Sequence, residues 1–164
     1  LFEGQLPAST EAGFALVEET GQEELGRRAD AAVEAMGPVP GGIVWAGISW
    51  GAALAQERAQ TRPDSRGALL YESFVSLTAP WAFGPWPQDV PAQVHGMSED
   101  PFFAHEGDLE AAREAAGSVG DHLVEVFEYP GDRHLFTDSS LPSHDSAATE
   151  QVLARSLGFL DALR

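Results

Sequence analysis

A serine lies between two glycines in the segment from position 47 to 51, which reads GISWG. The pattern G-x-S-x-G is typical of a nucleophilic serine on a sharp strand-to-helix turn, with glycines where the turn brings backbones too close for a side chain. A serine hydroxyl is a weak nucleophile, so it needs a histidine to take its proton and a carboxylate to orient that histidine. The alternative is that Ser49 only caps the helix that follows it.

His134 is the histidine best placed to act as the base. It follows a predicted strand at 123–129, in the sequence YPGDRHLF. Asp100 comes just after another predicted strand and is the candidate acid, with Glu99 beside it as the fallback. Residues that follow different strands of a parallel sheet meet at the carboxyl edge of that sheet. Ser49, Asp100 and His134 also occur in the chain order nucleophile, acid, base that is typical of α/β-hydrolases.

Four other histidines compete for the role of the base. His95 lies inside a predicted strand and His122 lies just before one, so we expect structural roles for both. His105 and His144 lie in polar stretches that we expect to be exposed. No two histidines stand four residues apart, as they would in a helical zinc motif, so we expect no metal site and no cofactor.

Apolar runs that alternate with helical patterns predict an α/β fold. The strands are predicted at 43–48, 67–74, 92–97 and 123–129. Strands of nearly continuous apolar character that alternate with helices indicate a parallel sheet covered on both faces. The length of 164 residues fits a single domain over 1–164.

Residues at helical spacing, together with stop signals, predict the helices at 22–36, 52–61, 108–116 and about 144–163. In the third of these helices we expect Asp108 to be the N-cap and Gly117 to end the helix. On the last helix the apolar side is predicted to consist of Val152, Leu153, Leu157, Leu160 and Leu163.

The charge of the chain argues against several classes of partner. The formal net charge is -17, and all nine cationic residues are arginines. Such a surface repels phosphate backbones and anionic lipids, so we expect no nucleic-acid partner and no membrane partner. The chain contains no cysteine, which excludes disulfides and thiolate chemistry.

Three segments resemble the dienelactone hydrolase family, within the α/β-hydrolase superfamily. They read GISWG, VHGMSEDPFF and YPGDRHLFTDSSLPSHDSAATEQVLARSLGFL, and the resemblance covers nearly the whole chain. The opening LFEGQ resembles the family's segment just after its fourth strand. The resemblance therefore implies an α/β-hydrolase fold whose N-terminal strands are missing here, together with the loop that donates the second oxyanion-hole N–H. It assigns Ser49 as nucleophile, Asp100 as acid and His134 as base.

Two positions depart from the family pattern. Dienelactone hydrolases use a cysteine nucleophile that is gated by a glutamate from the N-terminal region, whereas this chain has Ser49. The family's namesakes also place an arginine four residues after the histidine to hold the substrate carboxylate, and this chain has Asp138 there. A negative side chain would repel that carboxylate, so dienelactone itself is not the expected substrate.

We therefore expect a cytoplasmic serine hydrolase that cleaves a small neutral ester or lactone. The backbone N–H of Trp50 is the expected oxyanion donor, because it lies at the start of a helix. The aromatic residues expected to line the substrate pocket are Trp81, Phe83, Trp86 and Phe102. The alternative for these aromatic residues is that they pack their loop onto the edge of the sheet.

Two rival interpretations remain open. The first is a catalytically inactive homologue or a truncated product that acts as a binding module, and the second is an acidic interaction domain in which G-x-S-x-G is accidental. A parallel sheet without its neighbouring strands exposes an unpaired edge, so we also expect poor solubility or self-association. The sequence does not specify an oligomeric state.

Overall fold

The computed structural model describes residues 2–164, apart from the side chain of Thr10. It contains two compact units, Leu1–Pro40 and Gly41–Arg164. The expectation of one domain over 1–164 stays a prediction. None of the helices among residues 2–164 has the length and apolar character that a membrane span requires.

The first unit consists of two helices, α1 (Thr10–Thr20) and α2 (Gln22–Met36). α1 begins after Ser9, whose hydroxyl accepts a hydrogen bond from a backbone N–H of the first turn. α1 was not predicted from the sequence. α2 has the predicted bounds of 22–36, and it ends at a glycine of positive φ, as helices commonly do.

The second unit contains a sheet of four parallel strands in the order β1-β2-β3-β4. The strands are β1 (Ile43–Ile48), β2 (Ser65–Tyr71), β3 (Ala92–Met97) and β4 (Val124–Tyr129). β1 and β3 have the predicted bounds. β2 ends at Tyr71 rather than at Phe74, because Glu72 has a φ of 61°, which is incompatible with an extended strand.

Helices cover both faces of this sheet. They are α3 (Trp50–Thr61), α4 (Asp108–Val119) and α5 (Ser146–Ala162). Gly47 of β1 faces the first turn of α3, whereas Gly67 of β2 faces Phe159 of α5. Gly47 pairs with Leu70, which lies three residues from Gly67, so these two glycines point to opposite faces of the sheet. The predicted α/β fold with a doubly covered parallel sheet is confirmed.

β1 lies at one edge of the sheet, because no further strand pairs with it among residues 2–164. An unpaired strand edge offers free backbone N–H and C=O groups to another chain. The expected self-association stays a prediction.

α4 begins at Asp108 as predicted, but the predicted N-cap and the predicted C-terminal end are wrong. The N-cap is Gly107, and the carboxylate of Asp108 accepts hydrogen bonds from Ser73 Oγ at 2.7 Å and from the Phe74 N–H at 3.1 Å. Asp108 therefore stabilises the loop after β2 instead of capping its own helix. The helix continues through Gly117 and ends before Gly120, whose φ of 98° favours glycine.

The predicted apolar face of α5 is only partly correct. The buried residues of this helix are Ala148, Val152, Ser156 and Phe159. Leu153 and Leu157 are 56% and 61% exposed. The buried face follows the 3.6-residue period of a helix, but it includes the small residue Ala148 and the polar residue Ser156. A prediction from hydrophobicity alone therefore placed the buried face about one residue too close to the C-terminus.

A layer of aromatic rings lies under α5, centred on His95 of β3. His95 pairs in register with Tyr71 and Phe127 on the two neighbouring strands, and the ring centroids are 5.4 and 5.1 Å apart. Its Nδ1 lies 2.9 Å from the hydroxyl of Tyr129. Burial, and to a smaller extent the charge of Arg155, lowers the pKa of His95 to about 3.

This buried histidine is expected to make folding sensitive to acid. The unfolded chain takes up a proton at His95 below pH 6.5, whereas the folded chain takes it up only near pH 3. Stability from His95 is therefore complete above pH 6.5 and falls by about 1.4 kcal/mol for each pH unit below it. Urea unfolding of the wild type and of His95→Gln at several pH values gives the free energy of unfolding as a function of pH for each protein. The difference between these two curves measures the loss, because the other titrating groups contribute equally to both.

The matched control is His122→Gln, because His122 is exposed on the surface. This control should keep the pH dependence of the wild type. Parallel curves for His95→Gln and the wild type between pH 7.5 and 4.5 would show that His95 does not titrate as described.

Candidate active site

Ser49 lies on the sharp turn that joins β1 to α3. Its φ of 52° and ψ of -124° are unusual for a residue with a side chain, and its N–H donates to the Tyr71 carbonyl at 2.7 Å. Ser49 occupies the N-cap position of α3, but its side chain makes no capping hydrogen bond, so the interpretation in which the hydroxyl only caps the helix is wrong. The hydroxyl lies instead 2.8 Å from Nε2 of His134, which is 85 residues further along the chain.

The two glycines of this turn have different roles. A Cβ atom on Gly47 would lie 2.0 Å from the backbone oxygen of Gly51, so no side chain fits at position 47. Apart from its chain neighbours and the backbone of α3, a Cβ atom on Gly51 would meet no atom within 4 Å among the described residues. The prediction that close backbone approach requires a glycine at both positions is therefore wrong for Gly51. The backbone of Gly51 is instead the group that excludes a side chain at Gly47.

Asp100 is fully buried in the loop after β3. Its Oδ1 accepts backbone hydrogen bonds from Phe102 at 2.8 Å and Phe103 at 3.2 Å. Its Oδ2 lies 2.8 Å from Nδ1 of His134. The fallback carboxylate, Glu99, is exposed and lies 3.5 Å from His105 instead.

His134 lies in the loop after β4, between the other two groups. Its side chain is 14% exposed. A proton on Nδ1 is donated to Asp100, which leaves Nε2 free to accept the proton of the Ser49 hydroxyl. Burial works to lower the pKa of His134, but the hydrogen bond to Asp100 and the charges of Asp100, Glu72 and Glu106 together raise it.

The structure thus brings together the hydroxyl, the imidazole and the carboxyl group that the sequence singled out. We call Ser49, His134 and Asp100 the Ser–His–Asp cluster. Each follows a different strand, and the two hydrogen bonds connect them in the order that general-base activation of a serine requires. Chemically, the arrangement can deliver a serine oxygen to a carbonyl carbon.

Sequence reasoning missed one residue of this site, Glu72. It directly follows β2, it is fully buried, and its Oε2 lies 3.4 Å from Nδ1 of His134. Burial raises its pKa to about 7, although a hydrogen bond from the Leu135 N–H and the charge of His134 oppose the rise. One signal could have revealed it, because a lone acidic residue in the apolar run GALLYESF is out of place in a buried strand.

Glu72, Asp100 and His134 also offer potential metal ligands, with ligand atoms within 4.8 Å of one another. Both ring nitrogens of His134 are already engaged, with Ser49 and Asp100. A cation here would have to displace the proton between His134 and Asp100, because a metal binds an unprotonated imidazole nitrogen. The contacts therefore fit a hydrogen-bonded arrangement, and the expected absence of a metal stays a prediction.

The aromatic residues predicted to line the pocket lie in different environments. Phe102 is 38% exposed, and its ring centroid lies 4.7 Å from that of His134. Trp86 is buried, and its indole N–H donates to a carbonyl of its own loop, so it packs that loop as the alternative interpretation expected. Trp81 is 73% exposed and Phe83 is half-buried. Of these four residues, Phe102 is the one whose ring contacts the Ser–His–Asp cluster, at an angle of 47° to the ring of His134.

A cavity of about 490 Å³ opens beside the carboxyl ends of β1 and β2. Its lining includes Ile48, which precedes Ser49, and Thr137, which follows His134 by three residues. Tyr71 and Leu153 add apolar surface. No sequence signal could have found this cavity, since its walls come from four separate segments.

Several solved structures share this fold while being distant in sequence. A protein from Klebsiella pneumoniae subsp. pneumoniae, provisionally named dienelactone hydrolase, is 16% identical with a TM-score of 0.69, over 93% of this chain and 67% of its own. P91, a dienelactone hydrolase-like promiscuous phosphotriesterase from metagenomic libraries, is 16% identical with a TM-score of 0.68, over 96% of this chain and 69% of its own. A propionate-bound esterase from Thermogutta terrifontis is 16% identical with a TM-score of 0.56, over 93% of this chain and 63% of its own.

The chain therefore has the fold of the α/β-hydrolases, and it spans about two thirds of the length of these structures. No protein-family model matches the sequence, and a comparison with curated proteins finds no match.

Proposed function

We propose that this chain is the catalytic portion of a serine hydrolase of the dienelactone hydrolase type, which cleaves a small neutral ester or lactone. The observation that carries this proposal is the pair of 2.8 Å contacts that connect Ser49, His134 and Asp100. These contacts join residues 85 and 34 positions apart, and their order, hydroxyl to imidazole to carboxylate, is the one that a nucleophilic serine requires.

Catalysis begins when Ser49 Oγ attacks the ester carbonyl while His134 Nε2 takes its proton. The imidazolium that forms is stabilised by Asp100, which accepts from Nδ1. Collapse of the tetrahedral intermediate breaks the bond to the alcohol oxygen, which leaves with the proton from His134. A water molecule then attacks the acyl-enzyme with the same help, and it releases the acid and free Ser49.

The negative oxygen of each tetrahedral intermediate is held by the backbone N–H of Trp50. Trp50 is the first residue of α3, a helix of 12 residues, so its N–H points out of a helix N-terminus. The partial positive charge there favours a developing oxyanion.

A neutral substrate agrees best with the charges around the site. Asp138 is exposed where the resembled family has an arginine for a carboxylate, and the net charge of -17 repels anions. The ring of Phe102 on His134 offers an apolar contact for the substrate. The similar solved structures include proteins named esterase and phosphotriesterase, which supports the choice of neutral esters.

A fluorophosphonate probe tests this proposal, because it phosphonylates only a serine that has an active base. We expect the wild-type protein to be labelled at Ser49, as located by peptide mass spectrometry, and Ser49→Ala to remain unlabelled. Ser146→Ala is the matched control, since Ser146 is an exposed residue at the start of α5. An unlabelled wild type that also hydrolyses none of a panel of short esters would overturn the proposal and favour a binding module.

A further inference from the structure

Two buried carboxylates face the same nitrogen of His134. Asp100 Oδ2 lies 2.8 Å from Nδ1, and Glu72 Oε2 lies 3.4 Å from it. Both carboxylate side chains are fully buried. General-base catalysis by His134 needs only one of them, so the mechanism above leaves Glu72 unused.

The hydrogen bonds of Glu72 link it to the loop that carries His134. Its Oε2 accepts the backbone N–H of Leu135, the residue directly after the imidazole. Leu135 has a φ of 59°, so its backbone is in a region that favours glycine and needs a partner to hold it there. Glu72 thereby restrains the residue that sets the direction of the His134 side chain.

A purely structural acceptor would not need to be an acid. Glu72 Oε1 has no hydrogen-bond partner among the described residues, although it is fully buried. An amide would accept from Leu135 equally well, without the free-energy cost of a buried ionisable group. Glu72 itself has a φ of 61°, and this strained turn directs its side chain into the site.

We propose that Glu72 is a positioning residue for His134 and the second acceptor of its Nδ1–H, able to replace Asp100 in holding the imidazole. The effect of Glu72 on catalysis rests on the proposed function. The interaction between Glu72 and His134 does not depend on that function. Asp100 takes the hydrogen bond in the ground state, because its carboxylate is nearer and two backbone N–H groups fix its other oxygen. Glu72 adds a negative charge when His134 becomes an imidazolium.

The charge of Glu72 therefore sets how strongly His134 holds a proton. The charged and titratable groups that act on this pair are Asp100 from the loop after β3 and Glu106 before α4. Because the pKa of Glu72 is raised to about 7, its charge changes within the working pH range of a hydrolase. An ionised Glu72 raises the pKa of His134, so Glu72→Gln is expected to lower it.

The decisive experiment follows the histidine ring nitrogens by NMR in protein labelled with ¹⁵N-histidine. In Glu72→Gln, the titration midpoint of His134 is expected to fall, while Asp100 still holds Nδ1–H. In Asp100→Ala, the neutral imidazole is expected to keep its proton on Nδ1, because Glu72 accepts it. In the double variant this tautomer preference is lost. If Asp100→Ala does not fold, Asp100→Ser replaces it, since a hydroxyl oxygen can still accept from the Phe102 N–H while the shorter side chain places no donor against Nδ1 of His134.

The matched control is Glu99→Gln, which removes an exposed charge next to Asp100 and is expected to leave His134 unchanged. A His134 titration that is the same in Glu72→Gln and Glu99→Gln would overturn the inference. Loss of the Nδ1 tautomer in Asp100→Ala, with Glu72 present, would also overturn it.

Kinetics give an independent readout in the same variants. In Glu72→Gln, the acid limb of the pH profile of kcat/KM is expected to move to lower pH. In Asp100→Ala, kcat should fall by about 10²-fold, rather than by the roughly 10⁴-fold expected for a histidine with no carboxylate acceptor. The double variant should show the full loss. A wild type that shows the NMR coupling but no probe labelling would contradict the proposed function and support the role of Glu72, so the two failures are distinguishable.

Discussion

Replacing His134 with alanine is expected to lower kcat/KM for ester hydrolysis by about 10⁴-fold or more, because Ser49 then has no base for its proton. A serine hydroxyl is almost fully protonated at neutral pH, so its attack depends on proton transfer to the imidazole 2.8 Å away. Steady-state hydrolysis of the best ester from a panel measures the loss. Probe labelling of Ser49 should fall in parallel.

His105→Ala is the matched control for this prediction. His105 is exposed and pairs with Glu99, away from the Ser–His–Asp cluster, so its loss should leave kcat/KM unchanged. Equal rates for His134→Ala and the wild type would mean that the proximity of His134 to Ser49 has no role in the chemistry. The proposed mechanism would then be wrong, although the fold would be unaffected.

Gly47→Ala is expected to have the largest effect on stability, with a loss of more than about 3 kcal/mol or failure to fold. The new Cβ atom would lie 2.0 Å from a backbone oxygen and 2.3 Å from a backbone carbon of Gly51. Neither atom belongs to a flexible side chain, so the whole strand-to-helix turn would have to open. Urea unfolding measures the loss, and labelling of Ser49 in any folded fraction reports whether the turn still presents the hydroxyl.

Gly51→Ala provides the opposite expectation in the same motif. Apart from its chain neighbours and the backbone of α3, a Cβ atom there meets no described atom within 4 Å, and residue 51 is the second residue of α3. Alanine is the better helix former by up to about 1 kcal/mol, so stability should stay equal or rise. Similar destabilisation by both substitutions would show that the turn does not have the described geometry.

The three groups of the Ser–His–Asp cluster depend on backbone features as much as on their own chemistry. Ser49 is presented by a strained turn, and Asp100 is oriented by two backbone N–H groups. His134 precedes Leu135, whose backbone is held by Glu72. The geometry of the Ser–His–Asp cluster is therefore held by hydrogen bonds and backbone conformations within the chain itself.

The sequence by itself determined the parallel α/β architecture, and it singled out the three residues that form the Ser–His–Asp cluster. Apolar runs, helical spacing and glycine positions are local signals, and they were sufficient to find all four strands and the turn at Ser49. The order of Ser49, Asp100 and His134 along the chain, each after a different strand, then predicted their meeting at one edge of the sheet.

The tertiary structure alone decided which other side chains point into that edge. The side chain of Glu72 lies in the site because a positive φ at this residue ends β2 early. The side chain of Trp86 lies outside the site, because its indole N–H donates a hydrogen bond within its own loop. Asp108 stabilises a neighbouring loop instead of capping its helix, and the buried face of α5 includes Ser156 rather than Leu157. These outcomes depend on contacts between segments distant in sequence, and local periodicity and turn preferences carry no information about such contacts.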